Sequence, residues 1–347
     1  MYPQKVALVL EDQVWTYSEL VEQIKRIACH LRRLSIVQGQ IIYQFGERGF
    51  EIVCGFLGIL CAGGVYCPIN PTEPPDRLHA FFEQIQGKYV LLNAKTRTQF
   101  PPTGIQHILL DGILLPLLVV DEISDVPDCK GCGAAYMIST SGTTGRQKVI
   151  VHTHKSFSAC IAAFVQWHVG VYTFRDQVLQ VSTSSWILHI WEIPSTLVVG
   201  GTLVLMRPGG HLDVDYFCQT LTHQQVTTLA ISPGMVRLLT IYLEISQRLE
   251  IFKSVRNLFI GSDTLKPQEL IKLFSFLSSF NTRFFILYGM SECHGVIAGH
   301  LLGINDMDVP IGYPLPGVQC LLVNESGQVV NYTGNSSGIG EIYIGGQ

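Results

Sequence analysis

The chain has 347 residues, 47% of them hydrophobic and 14% charged, with 23 cations against 27 anions for a net charge of -4. A chain of this length and composition buries a large core and lacks the basic stripe that a polynucleotide partner requires. No apolar run reaches the roughly 18 residues of a membrane helix, because the longest, Ile108 to Val120, is interrupted by Asp111.

Thr16 and Glu19 form a capping box, and Leu20, Val21, Ile24, Ile27, Ala28, Leu31 and Leu34 follow at helical spacing. They predict an amphipathic helix. Gln40 to Phe45 reads as a strand, Phe50 to Cys61 as a buried helix, Gly63-Gly64 as its stop and Val65 to Ile69 as the next strand. That alternation predicts a parallel sheet. The cysteines scatter from Cys29 to Cys320 without the dense spacing of a secreted scaffold, so reduced thiols and a cytoplasmic location are expected. Cys129 and Cys132 form a C-x-x-C pair, but a zinc site needs two more ligands and there is no second pair. The N-terminus lacks the apolar core of a signal peptide, so the glycosylation-type triplets at Asn324, Asn331 and Asn335 carry no argument.

Ser139 to Lys148 concentrates hydroxyls, glycines and cations between the strand-like runs Ala135 to Ile138 and Val149 to Val151. Gly142 and Gly145 let a polyphosphate approach the backbone, Thr140, Ser141, Thr143 and Thr144 supply donors, and Lys148 adds a point charge. The Walker pattern fails on register, since Gly145 stands three residues after Gly142 and Lys148 is followed by Val149. A plain polar linker would not sit between two strands. The helix and strand texture returns with Val226 to Ser232, Leu258 to Ile260, the helix Gln268 to Phe280 and the strand Arg283 to Leu287. From Pro310 short alternating strands such as Val318 to Val323 and Gly340 to Ile344 take over. The predicted class is α/β: largely parallel sheets flanked by helices in two subdomains over residues 1–309, and the start of a small β-rich subdomain over 310–347.

Tyr136 to Lys148 resembles the phosphate loop of adenylate-forming enzymes, the family of acyl-CoA synthetases and nonribosomal peptide synthetase adenylation domains. Thr16 to Leu20, Cys61 to Asn70, Tyr288-Gly289-Met290-Ser291-Glu292 and Gly340 to Gly346 resemble further motifs of that family, in family order. The resemblance implies attack of a carboxylate on the α-phosphate of ATP, with Mg²⁺, giving an acyl adenylate and pyrophosphate. Transfer to a thiol would follow, on the phosphopantetheine of a carrier-protein domain or on coenzyme A. It implies further that Thr140, Ser141, Gly142, Thr143, Thr144, Gly145 and Lys148 hold the pyrophosphate side. Tyr288 would stack on adenine with Gly289 and Met290 beside it, Gly261, Ser262 and Asp263 would border the base, Ser291 would contact the α-phosphate, and Glu292 would hold the metal. Lys148, Ser291 and Glu292 are thus the expected catalytic residues. Ser291 stands where threonine is usual, Gln147 where proline is usual and Val149 where glycine is usual. His154 matches a histidine that often precedes a helix, with a capping or core role expected.

In amino-acid-activating members of the family an aspartate holds the α-ammonium; the matching position, counted back from Trp191-Glu192, is Ile187, with Trp186 before it. An ammonium buried without a partner costs several kcal/mol. The remaining pocket positions by resemblance are Leu188, Trp191, Gly234, Leu258, Ile260, Leu287, Gly295 and Val296, all apolar or small. An apolar carboxylic acid lacking the amine is therefore expected, such as a fatty, aryl, keto or hydroxy acid; His189 and His294 could also face it, and Glu192 reads as structural. The family continues past Gly346 with a ribose-binding aspartate, a hinge and a mobile subdomain carrying a lysine, none of which has a match here, so an incomplete catalytic unit is expected. The alternative is a catalytically silent nucleotide-binding or scaffold module.

Overall fold

The computed structural model describes residues 2–36, 38–114, 133–140, 147–167, 170–277, 279–303, 306, 309–330 and 339–346. Ser141, Gly142, Thr143, Thr144 and Gly145, the pair Cys129 and Cys132, and Asn331 and Asn335 lie outside the described residues. The chain opens with the hairpin β1 (Val6–Leu10) and β2 (Gln13–Thr16) and then α1 (Tyr17–Arg33). Both predicted capping bonds are present at α1: the Thr16 hydroxyl accepts from the Glu19 amide, and the Glu19 carboxylate accepts from the Thr16 amide at 2.7 Å.

Next come β3 (Ile41–Phe45), α2 (Phe50–Ala62), β4 (Val65–Ile69), α3 (Pro75–Ile85), β5 (Tyr89–Leu92), α4 (Ala94–Arg97), β6 (Gln106–Leu109) and α5 (Leu110–Leu114). Gly63 closes α2 in the left-handed conformation at φ 86°, which is why glycine stops the helix there. β7 (Ala134–Thr140) and β8 (Lys148–Thr153) complete a six-stranded sheet of order β6-β5-β3-β4-β7-β8, parallel except for the β7–β8 pair.

A second sheet is built from β9 (Gln177–Gln180), β10 (Thr202–Leu205), β11 (Thr228–Ile231), β12 (Asn257–Gly261), β13 (Arg283–Tyr288), β14 (Ala298–Leu301) and β15 (Tyr313–Pro314), with β1 and β2 at its far edge. Its order is β15-β14-β13-β12-β11-β9-β10-β1-β2, and the run from β13 to β1 is parallel. The intervening helices are α6 (His154–Trp167), α7 (Ile187–Val198), α8 (Val214–His223), α9 (Pro233–Ser246) and α10 (Pro267–Leu277). β16 (Val318–Val323) and β17 (Glu341–Gly346) form a separate antiparallel pair.

One hydrophobic cluster joins α1, α2, α6 and α7 to the inner faces of both large sheets, through residues such as Leu8, Ile27, Phe56, Tyr66, Tyr136, Ile190 and Phe285. A second covers the other face of the nine-stranded sheet with α8, α9 and α10, and a third packs α3 on the outer face of the six-stranded sheet. Each fully buried large side chain contributes roughly 1.5–3 kcal/mol. The layering therefore locks the two sheets to a shared helical layer and points the carboxyl ends of their parallel strands at one crevice. Among the described residues no helix is long and apolar enough to cross a membrane.

Candidate active site

Two cavities meet where β11, β12 and β13 end. The first, about 350 Å³, is lined by Ile260, Ser262, Asp263, Leu265, Tyr288 and Gly289 among others. The second, about 160 Å³, takes Trp186, Ile187 and Leu188 from the start of α7, Ala230 and Ile231 from β11, Phe259 and Gly261 from β12, and Leu287, Met290, Ser291, Gly295 and Val296 from β13 and the loop after it. Ser262, Leu287 and Gly289 line both. Among the described residues, no Asp, Glu, Lys or Arg lines the second cavity.

The backbone is shaped to make this junction. Ser262 adopts φ 78°, a left-handed conformation uncommon outside glycine. A Cβ on Gly289 would stand 1.6 Å from the Gly295 carbonyl oxygen, and one on Gly261 would stand 2.8 Å from the Leu287 oxygen. Glycine is required at both for steric reasons. The loop from Tyr288 is closed by Gly295 N–H donating to Met290 O at 2.9 Å and Ile297 N–H to Tyr288 O at 2.9 Å.

Side chains from other layers fix this loop. His152 on β8 donates from Nε2 to the Ser291 carbonyl at 2.8 Å, and the Tyr136 hydroxyl is hydrogen-bonded to His294 Nδ1 at 2.9 Å. The two imidazoles overlap, with ring centroids 3.9 Å apart. Trp191 donates its indole N–H to the His294 carbonyl. Ser291 borders the smaller cavity, while Glu292 is exposed on the same turn. Thr140 and Lys148 face each other across the β7–β8 ladder, so they flank the segment of the predicted phosphate loop that lies outside the described residues.

Of the pocket residues expected from the sequence, Trp186, Ile187, Leu188, Leu287, Gly295 and Val296 line the smaller cavity and Ile260 the larger one. Trp191 stands behind it, its Nε1 3.4 Å from where a Gly295 Cβ would be. Leu258 is buried in the core on the α9–α10 side, and Gly234 is exposed in the first turn of α9. Phe259, Ala230 and Ile231 take part instead. His294 turns away toward Tyr136 and His152, and His189 is buried against Tyr66 and Gln180. His154 heads α6, its amide donating to the Gly133 carbonyl at 3.0 Å.

Burial pushes His294 down to about 3, with the neighbouring His152 adding to it, and pushes His189 down to about 3, with Arg48 adding to it. His152 is also lowered by burial. Burial raises Glu192 to about 7, against the opposing effect of its amide donors and Arg48. The signs differ. The histidines bind protons more readily in the unfolded chain, so their stabilisation is complete above the ordinary histidine value and is lost as pH falls below it. Glu192 contributes in the opposite sense, its stability present at low pH and fading as pH rises through about 7. The histidines outnumber it, so melting temperature is expected to fall from pH 6.5 to 5, with a net slope on the order of 1 kcal/mol per pH unit. His294→Gln should flatten that slope in thermal melts; an unchanged slope would remove His294 from the account.

Residues 1–347 match the family described as AMP-binding enzyme. Zwittermicin A synthase ZmaJ of Bacillus cereus is 27% identical over 357 residues, covering 99% of this chain and 65% of that protein. The chain spans smaller shares of further synthetases it matches, between 4% and 28% of their length. Among solved structures, the Klebsiella oxytoca NpsA N-terminal subdomain in complex with 3-hydroxybenzoyl-AMSN gives a TM-score of 0.85 at 23% identity, covering 99% of this chain and 82% of that one. NpsA-ThdA, an artificially fused adenylation-PCP di-domain from the same organism, gives 0.85 at 22% identity, covering 99% and 66%. These last two are likenesses of fold. The match over its whole length shows that the chain belongs to the AMP-binding enzyme family.

Proposed function

We propose that the protein activates a carboxylic acid with ATP, forming an acyl adenylate and releasing pyrophosphate, and that the acid is apolar and lacks a free α-amino group. The observation that carries this reading is the pair of adjoining cavities, the smaller of which has no charged side chain among the described residues of its wall. Adenosine would occupy the larger cavity, with Tyr288 against the base and Gly261, Ser262 and Asp263 along its edge. The acid would occupy the smaller, its carboxylate pointing to their shared rim at Ser262 and Gly289. One carboxylate oxygen then bonds to the α-phosphorus while the bond from that phosphorus to the pyrophosphate oxygen breaks, so no proton needs to move.

This chain's residues supply position and donors. Ser291 would hydrogen-bond the α-phosphate, and Thr140 and Lys148, with the loop between them, would hold the departing pyrophosphate. Charge-assisted bonds of about 1.5–3 kcal/mol each make such a set a large part of the barrier reduction. Mg²⁺ supplies charge neutralisation at the phosphates when bound, and Glu292 would hold it. A single exposed carboxylate fits that ion, which takes one or two carboxylates and completes its shell with phosphate and water oxygens. The acceptor thiol would belong to a carrier-protein domain or to coenzyme A; the fused adenylation-PCP neighbour supports the former.

Acid-dependent exchange of labelled pyrophosphate into ATP, measured on the chain extended through the lysine-bearing subdomain that the family carries past Gly346, over amino, aryl, keto and fatty acids, tests this reading. Exchange is expected with one of the non-amino classes. Saturable ATP binding without exchange by any acid would favour the catalytically silent nucleotide-binding module.

A further inference from the structure

A cavity of about 310 Å³ lies at the carboxyl ends of strands from both large sheets, lined by Arg48, Asn70, Ser182, His189 and His211 among others. It is separated from the acid cavity by the turn that leads from β9 into α7, since Thr183 and Ser184 face it while Trp186 and Ile187 face the other. At the start of that turn the backbone leaves the sheet, and its polar groups need other partners.

The side chains of Arg48 and Glu192 provide them. Arg48 donates from Nη2 to the carbonyls of Val181 at 2.6 Å and Ser182 at 3.2 Å, and from Nε to the Gln180 side chain at 2.7 Å. Glu192, only 4% exposed, accepts from the amides of the same two residues, each at 3.2 Å, and from the Ser182 hydroxyl at 3.2 Å. Arg48 belongs to the loop after β3 in the six-stranded sheet, whereas Glu192 belongs to α7. The carbonyls and the amides of Val181 and Ser182 are thus held by a guanidinium and a carboxyl group from different layers. Burying the Glu192 carboxyl group costs more than burying an apolar side chain, so core packing alone does not account for it.

We propose that Arg48 and Glu192 are positioning residues for the carboxylic acid: by fixing the Val181 and Ser182 peptides they set the course of residues 183–187, and so the places of Trp186 and Ile187 in the acid cavity. The inference rests on the adenylation reading. The turn has little slack, because the Trp186 amide donates to Thr183 O at 3.0 Å and the His189 amide to Trp186 O at 3.0 Å. A shift at Ser182 therefore passes to the first turn of α7. Gln180 and His189 brace it from behind: the Gln180 amide donates to His189 Nδ1 at 3.2 Å, leaving Nε2–H for the Tyr66 hydroxyl at 3.3 Å.

The test is pyrophosphate exchange by the same extended chain and by its Arg48→Ala, Arg48→Lys, Glu192→Ala and Glu192→Gln variants, using the same acid panel and recording melting temperatures. Arg48→Ala and Glu192→Ala are expected to raise KM for the acid about tenfold or more while KM for ATP stays within about twofold. Glu192→Gln, which keeps an acceptor oxygen, should fall between Glu192→Ala and the parent. The double alanine variant should be no worse than the poorer single one, because both act on one turn. Should either alanine variant fail to fold, Arg48→Lys and Glu192→Gln carry the comparison. Lower melting temperatures with an unchanged KM for the acid would overturn the inference and leave adenylation standing. No exchange by the parent with any acid would overturn the adenylation reading, and this inference with it.

Discussion

Replacing Ile187 by aspartate is expected to shift the enzyme's preference from the apolar acid toward the α-amino acid of the same side chain by about 100-fold or more. Ile187 is 8% exposed, lines the smaller cavity and packs its Cγ1 2.9 Å from where a Gly295 Cβ would stand. A carboxylate placed there has no cation among the described residues that line the cavity, so an apolar acid would meet an uncompensated charge. An α-ammonium would satisfy it. The position is the first residue of α7, where the helix dipole favours a negative charge by a few tenths to 1 kcal/mol, so the variant should fold. The check is kcat/KM in pyrophosphate exchange for pairs of acids with and without the amine. An unchanged preference would show that the amine does not approach residue 187.

Gly289→Ala is expected to abolish ATP binding and to destabilise the protein by about 1–3 kcal/mol or more. The added methyl would lie 1.6 Å from the Gly295 oxygen, 2.5 Å from its carbonyl carbon and 2.9 Å from the Val296 Cα. All three are backbone atoms, so no side-chain rotation relieves the clash. Only displacement of the Tyr288–Ile297 loop does, and that moves the walls of both cavities together with Ser291 and Glu292. Calorimetric titration with ATP and a thermal melt check this; parent-like affinity would mean that the loop is not the nucleotide's seat.

The strands and helices were legible because their signals are local. The capping box at Thr16, the Gly63 stop and the alternation around β3, α2 and β4 all operate within a few residues, and the structure has them where the sequence puts them. The pocket was legible only in part. β12 is buried along almost all of its length, so its side chains carry no polar alternation to say which face meets the site. The resemblance points to Leu258 and Ile260; Ile260 lines the larger cavity and Leu258 lies in the opposite core, while Phe259, stacked on Phe285 at 5.0 Å, lines the smaller cavity. A one-residue change of register exchanges the two faces. Gly234 stands in the first turn of α9, whose start is set by the Ser232 hydroxyl accepting from the Met235 amide, and it is not among the lining residues of either cavity. Arg48 had no signal at all: its carbonyl partners are over 130 residues away in the chain, and backbone acceptors leave no mark on composition.

The central claim is that the acid cavity accepts a carboxylic acid without an α-ammonium. It is tested most directly by calorimetric binding of matched acyl-sulfamoyl adenosines to the full chain, one built on 3-methylbutanoate and the other on valine, with 3-phenylpropanoate and phenylalanine as a second pair. The desamino member of at least one pair is predicted to bind about tenfold or more tightly than its amino partner. Tighter binding of the amino member in both pairs would contradict the account.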